Sequence, residues 1–100
     1  MSISTTKELI EFLKTNKPFF QREFGVSRLG IFGSFAFGKI TESSDIDVVI
    51  EMEKGKKRLH NFLQLKRLLE KETNRKIDLG FESSLKPIIR EHIKSKIIYV

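Results

Sequence analysis

The chain contains no cysteine. That absence excludes a disulfide framework and thiolate metal sites, and leaves hard cations on oxygen ligands as the metals it could hold. Long apolar runs are missing too: nothing approaches the ~20 residues that span a bilayer. The opening MSISTTKELI places Glu8, followed by Glu11, where a signal peptide needs an unbroken apolar core. No membrane association and a cytoplasmic location are expected. Internal repeats, low-complexity tracts and linkers are also lacking, and 100 residues leave room for one core, so residues 1–100 read as a single domain.

Hydrophobic residues at 39% and charged residues at 32% belong to a folded globular chain rather than a disordered one. A net charge of +6 suits an anionic partner such as a nucleotide or RNA, and equally suits a solvated basic surface.

Thr5-Thr6-Lys7-Glu8 has the spacing of a capping box, and Leu9, Ile10 and Leu13 follow at helical intervals. A first helix is expected from about Thr6 to Thr15, interrupted by Pro18, with a further helical turn carrying Phe19, Phe20 and Phe24 up to Gly25. Val26 to Phe32 reads as a buried strand ended by Gly33-Ser34, and Asp45 to Ile50 as the next, followed by a charged turn from Glu51 to Lys57. Leu59, Phe62, Leu63, Leu65, Leu68 and Leu69 make an apolar stripe of helical period, about four turns long. Lys76 to Phe81 is a third strand, Lys86 to Ser95 a last helix opened by Pro87, and Ile97 to Val100 a terminal strand. The order predicts an α/β (α+β) domain: helices packed on a small mixed sheet.

Side chains two apart on a strand share a face, so Asp45 and Asp47 project together, and Asp78 in the following strand can sit across from them. At an effective dielectric near 20 and about 5 Å, each pair of like charges costs on the order of 3 kcal/mol, so three convergent carboxylates call for cations or raised pKa values. Mg²⁺ takes oxygen ligands and keeps open positions for phosphates and water; two such ions can align an attacking oxygen, an α-phosphate and a leaving pyrophosphate. In that scheme Asp45, Asp47 and Asp78 are both the metal ligands and the catalytic carboxylates, with Asp78 able to draw the proton from the attacking hydroxyl. Gly33-Ser34 offers a side-chain-poor turn whose N–H groups and hydroxyl can meet phosphate oxygens.

Gly33-Ser34, ten residues, Asp45-x-Asp47 and a third aspartate in the next strand together resemble the DNA polymerase β-like nucleotidyltransferase superfamily, and the whole chain resembles its minimal nucleotidyltransferase (MNT) branch. The C-terminal KPIIREHIKSKIIYV is similar to that branch's usual ending. The resemblance implies an Mg²⁺-dependent protein adenylyltransferase, an antitoxin that moves AMP from ATP to a tyrosine hydroxyl of a HEPN-type RNase toxin. It also implies Gly33 and Ser34 as nucleotide-phosphate contacts, Asp45 and Asp47 as the metal pair and Asp78 as the third carboxylate. One departure stands out: related chains often carry an arginine two residues before Lys39, where this chain has Phe37. A catalytically weak binding module that neutralises its partner by complex formation is therefore the alternative. Direct nucleic-acid binding is not expected, because three aspartates repel a phosphate backbone.

The remaining polar features read as structure. His60 and His92 have no partner for chemistry in the sequence and are expected at surface or packing positions. The runs Lys54-Lys56-Lys57-Arg58 and Lys66-Arg67-Lys71-Arg75-Lys76 read as solvated faces, and Glu51 as a weak candidate for an outer metal shell.

Overall fold

The computed structural model describes residues 3–94 and 96–100. Helix α1 spans Thr6–Phe24 and opens on the expected capping box: the Glu8 N–H donates to Thr5 Oγ1 at 3.1 Å while the Thr5 N–H donates to Glu8 Oε1 at 3.1 Å. It closes at Gly25, whose left-handed backbone (φ 70°) lets its N–H reach the Gln21 carbonyl. The expected interruption at Pro18 does not occur; the helix runs straight through it. Pro18 removes one backbone hydrogen bond, and the phenylalanines on either side hold the axis together. Phe20 is fully buried, with Phe12 and Phe19 edge-on to its ring at 6.5 and 6.2 Å.

Strand β1 (Val26–Phe32) leads through the one-turn helix α2 (Ser34–Phe37) to β2 (Ile46–Met52). A 3₁₀ turn at Lys54–Lys56 precedes α3 (Leu59–Thr73), which returns the chain to β3 (Ile77–Phe81). A second 3₁₀ turn at Glu82–Ser84 leads to α4 (Pro87–Lys94) and the short β4 (Ile98–Tyr99). The sheet order is β3-β2-β1-β4. β1 pairs antiparallel with β2 and β4, whereas β2 and β3 run parallel, α3 being the crossover that a parallel pair requires. This is the expected small mixed sheet.

Alternation along the strands sorts the two faces. Leu29 and Ile31 of β1, Ile46, Val48 and Ile50 of β2, and Ile77 and Leu79 of β3 join one core with Leu9, Leu13 and Phe20 of α1 and Leu65 and Leu69 of α3. The intervening positions, among them Arg28, Asp47, Glu51 and Asp78, belong to the opposite face.

Several boundaries shift from those the sequence suggests. β2 begins at Ile46, so Asp45 stands just ahead of it, and it continues to Met52, taking Glu51 out of the turn and into the strand. The α3 stripe is narrower than its leucines imply: Leu65 and Leu69 are buried, but Leu59 is 72% exposed. β4 is two residues long rather than four. The expected end of the last helix at Ser95, and the side chain of His92, lie outside the described residues.

Candidate active site

β1 ends against β2, and Gly33 is what lets it. Its backbone (φ 72°, ψ −152°) lies in a region other residues avoid, and a Cβ there would run into Asp47 Oδ2. The Gly33 carbonyl accepts the N–H groups of Ala36 at 3.0 Å and Phe37 at 3.1 Å, which winds the chain into α2 directly after Gly33. Phe35, fully buried, anchors that turn, and the Thr6 hydroxyl of α1 donates to the Phe35 carbonyl.

Asp45 is fixed from both sides. Arg75 stacks its guanidinium on the Phe35 ring at 4.9 Å, donates from Nε to the Ile3 carbonyl at 2.6 Å, and from one terminal nitrogen to the carbonyls of Thr41 (3.0 Å) and Ser44 (2.9 Å). On the other flank the Ile46 N–H donates to the Lys76 carbonyl at 2.9 Å. Arg75 was expected on a solvated face; it is instead the brace of the loop that delivers Asp45. Its partners lie up to 72 positions away in the chain, so no local pattern could reveal it.

Asp47 stands opposite Phe32 in β1 and opposite Asp78 in β3. The parallel pairing thus brings Asp47 and Asp78 together, close enough for their side chains to hydrogen bond, with Asp45 near enough to be felt as charge. Burial, then the charges of Asp78 and Asp45, then the hydrogen bond with Asp78 push the Asp47 carboxyl up to about 6. Among the described residues the carboxylates of Asp45, Asp47 and Asp78 have no ion-pair partner.

Among the described residues no group of three or more His, Cys, Asp or Glu side chains is arranged to hold a metal ion. The donor chemistry nevertheless suits Mg²⁺, which completes its shell with phosphate oxygens and water rather than demanding an all-protein site. An oxygen-only pair, Asp45 and Asp47, in no ion pair among the described residues, fits that requirement.

Glu51 is engaged elsewhere. It accepts from Lys57 Nζ at 3.0 Å and from the Ser83 N–H at 2.7 Å, and although burial alone would raise its pKa, these hydrogen bonds outweigh it and hold the carboxyl below its usual value. The basic turn is likewise structural in part, with Lys56 Nζ donating to the Arg22 carbonyl at 2.6 Å. His60 is exposed, as expected. No helix among the described residues is long and apolar enough to cross a membrane.

Residues 7–100 match the model of the nucleotidyltransferase domain. The chain is 32% identical over 100 residues to the protein adenylyltransferase MntA of Thermococcus cleftensis, the match covering 100% of both chains. A solved structure that carries the description of a minimal nucleotidyltransferase superposes with a TM-score of 0.82 at 28% identity, covering 98% of each chain. A toxin–antitoxin complex with AMP-PNP shares the fold, with a TM-score of 0.66 at 18% identity over 94% of this chain and 70% of that one. With the family model spanning all but the first six residues and the relatives matched end to end, the chain belongs to the nucleotidyltransferase domain family and is an enzyme of that class.

Proposed function

We propose that the chain is a cytoplasmic, single-domain adenylyltransferase that moves AMP from ATP to a hydroxyl of a protein partner, and that the partner is a HEPN-type RNase toxin it restrains by modifying a tyrosine. The observation that carries the reading is the position of Asp47: pressed against a side-chain-free turn, paired with Asp78, and in no ion pair among the described residues. The relative named as a protein adenylyltransferase and the fold shared with a toxin–antitoxin complex support the choice of a protein acceptor. The HEPN partner and the tyrosine rest on the resemblance of the Gly33-Ser34 and Asp45-x-Asp47 pattern to the MNT branch.

In this scheme Asp45 and Asp47 would hold Mg²⁺, two ions where substrate phosphates also contribute ligands, and Asp78 would complete the set. Bound there, Mg²⁺ supplies the positive charge that offsets the triphosphate and makes the acceptor hydroxyl more acidic. The residues of the chain do the rest. The N–H groups of the Gly33-Ser34 turn and the Ser34 hydroxyl receive phosphate oxygens, and Asp78 takes the proton of the attacking hydroxyl. The hydroxyl oxygen bonds to the α-phosphorus as its bond to the bridging oxygen breaks, and pyrophosphate leaves without a covalent enzyme intermediate.

One observation favours a second reading, a binding module that neutralises the partner by contact alone. Phe37 leaves α2 with no basic side chain, and its ring is 55% exposed. The two readings separate when the protein is mixed with Mg²⁺, α-labelled ATP and the product of the adjacent gene, beside an Asp45→Ala/Asp47→Ala control. Label on a partner tyrosine that vanishes in the control establishes AMP transfer. A stable complex that stays unlabelled, and a control that still neutralises the partner, would leave the binding module standing.

A further inference from the structure

Gly33 has two neighbourhoods. It abuts the Asp47 carboxylate, and it also lines a small cavity of about 140 Å³ together with Phe32, Phe37, Ile93 and Lys96. Lys96 is the cation of that cavity. Its backbone is fixed by its N–H donating to the Ile93 carbonyl at 2.8 Å, and its ammonium lies 5.9 Å from the centre of the Phe37 ring, within cation–π range. Among the described residues none of the ion pairs involves Lys96.

A bound triphosphate has two ends with opposite needs. Its α-phosphorus must lie by Asp45 and Asp47, whereas the anionic tail is repelled by those same carboxylates and needs positive charge. Gly33 both abuts Asp47 and lines this cavity, so a tail held at the Gly33-Ser34 turn has the cavity beside it, where the Lys96 ammonium is the one positive charge among the described residues of the lining. We propose that Lys96 binds the β- and γ-phosphates of ATP and remains with the pyrophosphate as it leaves. The inference rests on the adenylyltransferase reading above. As the acceptor oxygen bonds to the α-phosphorus, the electron pair of the breaking bond passes to the bridging oxygen of pyrophosphate; Lys96 offsets that charge, and the hydroxyl proton goes to Asp78. The charge that Phe37 does not provide from α2 is supplied by the segment following α4, and the Phe37 ring becomes the platform under it.

Calorimetric titration with ATP, AMP and inorganic pyrophosphate, each with Mg²⁺, tests this in the full chain. Lys96→Met should weaken ATP and pyrophosphate binding about tenfold and change AMP binding less than about twofold, the loss of one charge-assisted contact. Lys96→Arg, and Phe37→Arg placed in the Lys96→Met chain, should each restore most of the ATP affinity. Equal ATP affinity in the wild type and Lys96→Met overturns the inference and leaves the adenylyltransferase reading untouched. A parallel loss of AMP binding also overturns it, since the contact would not then be to the phosphate tail. A wild-type chain that binds no ATP overturns both.

Discussion

The space that a side chain on Gly33 would need is already filled by the Oδ2 of Asp47. The turn that ends β1 and the central carboxylate of β2 are therefore one unit. Gly33→Ala must either displace Asp47 or reopen the turn, and it also strains a backbone at φ 72°. We expect AMP transfer to fall at least ~100-fold, the scale of a misplaced reacting group. Gly38→Ala is the matched control: Gly38 also has positive φ (74°), but nothing lies within 4 Å of where its Cβ would be. It should lose about 1 kcal/mol of stability and keep its turnover. Thermal melts and transfer rates on the two variants separate strain from displacement.

The raised pKa of Asp47 makes stability depend on pH in a defined direction. Its carboxyl titrates at about 6 in the folded chain against an ordinary value of 3.8, so the folded state holds this proton more tightly than the unfolded state does. Its favourable contribution is complete below about pH 4 and is lost as pH rises through 6, beyond which the charged carboxylate opposes folding. In a metal-free buffer Asp47→Asn should melt a few degrees above the wild type at pH 8, with the difference closing near pH 4. Adding Mg²⁺ at pH 8 should raise the wild-type melting temperature and leave that of Asp47→Asn unmoved.

Arg75 makes three backbone contacts and a ring contact that converge on the approach to Asp45. Arg75→Met removes all the hydrogen bonds and leaves the part-buried carbonyls of Ile3 and Ser44 without them, for a loss of about 1 kcal/mol. We expect kcat to fall more than KM rises, because the loop loses its grip on one carboxylate rather than on the nucleotide. Faster hydrogen exchange at residues 41–45 should accompany the change. Arg75→Lys should not rescue it, since an ammonium cannot reproduce the forked contacts.

Pro18 sits inside α1 without the N–H its position calls for. Pro18→Ala should restore that hydrogen bond and raise the melting temperature by about 4–8 °C, equivalent to at least ~1 kcal/mol, with no change in AMP transfer.

The two periodicities in the sequence account for what could be read in advance. The period-two pattern of β2 and β3 places Asp47 and Asp78 on the same face, and the parallel register then sets them side by side. The helical stripe of α3 supplies the crossover that makes that register possible. What could not be read depends on distance along the chain. Arg75 looks like one of several basic residues at a helix exit until Ile3, Thr41 and Ser44 arrive around it. Lys96 lies in the C-terminal segment and meets Gly33 only through the folded sheet. The continuity of α1 across Pro18 was hidden for a different reason: a local rule against proline was outweighed by the burial of Phe20.

β3 is an outer strand of the sheet, and it carries Asp78. A rim of unpaired backbone is an invitation to neighbouring chains, and a charged side chain along it is one means by which proteins decline that invitation. By that logic Asp78 should guard against aggregation in addition to any part it takes in the chemistry. The Asp78→Ala chain should scatter more light as its concentration rises, whereas the Asp45→Ala chain, altered ahead of the inner strand β2, should not.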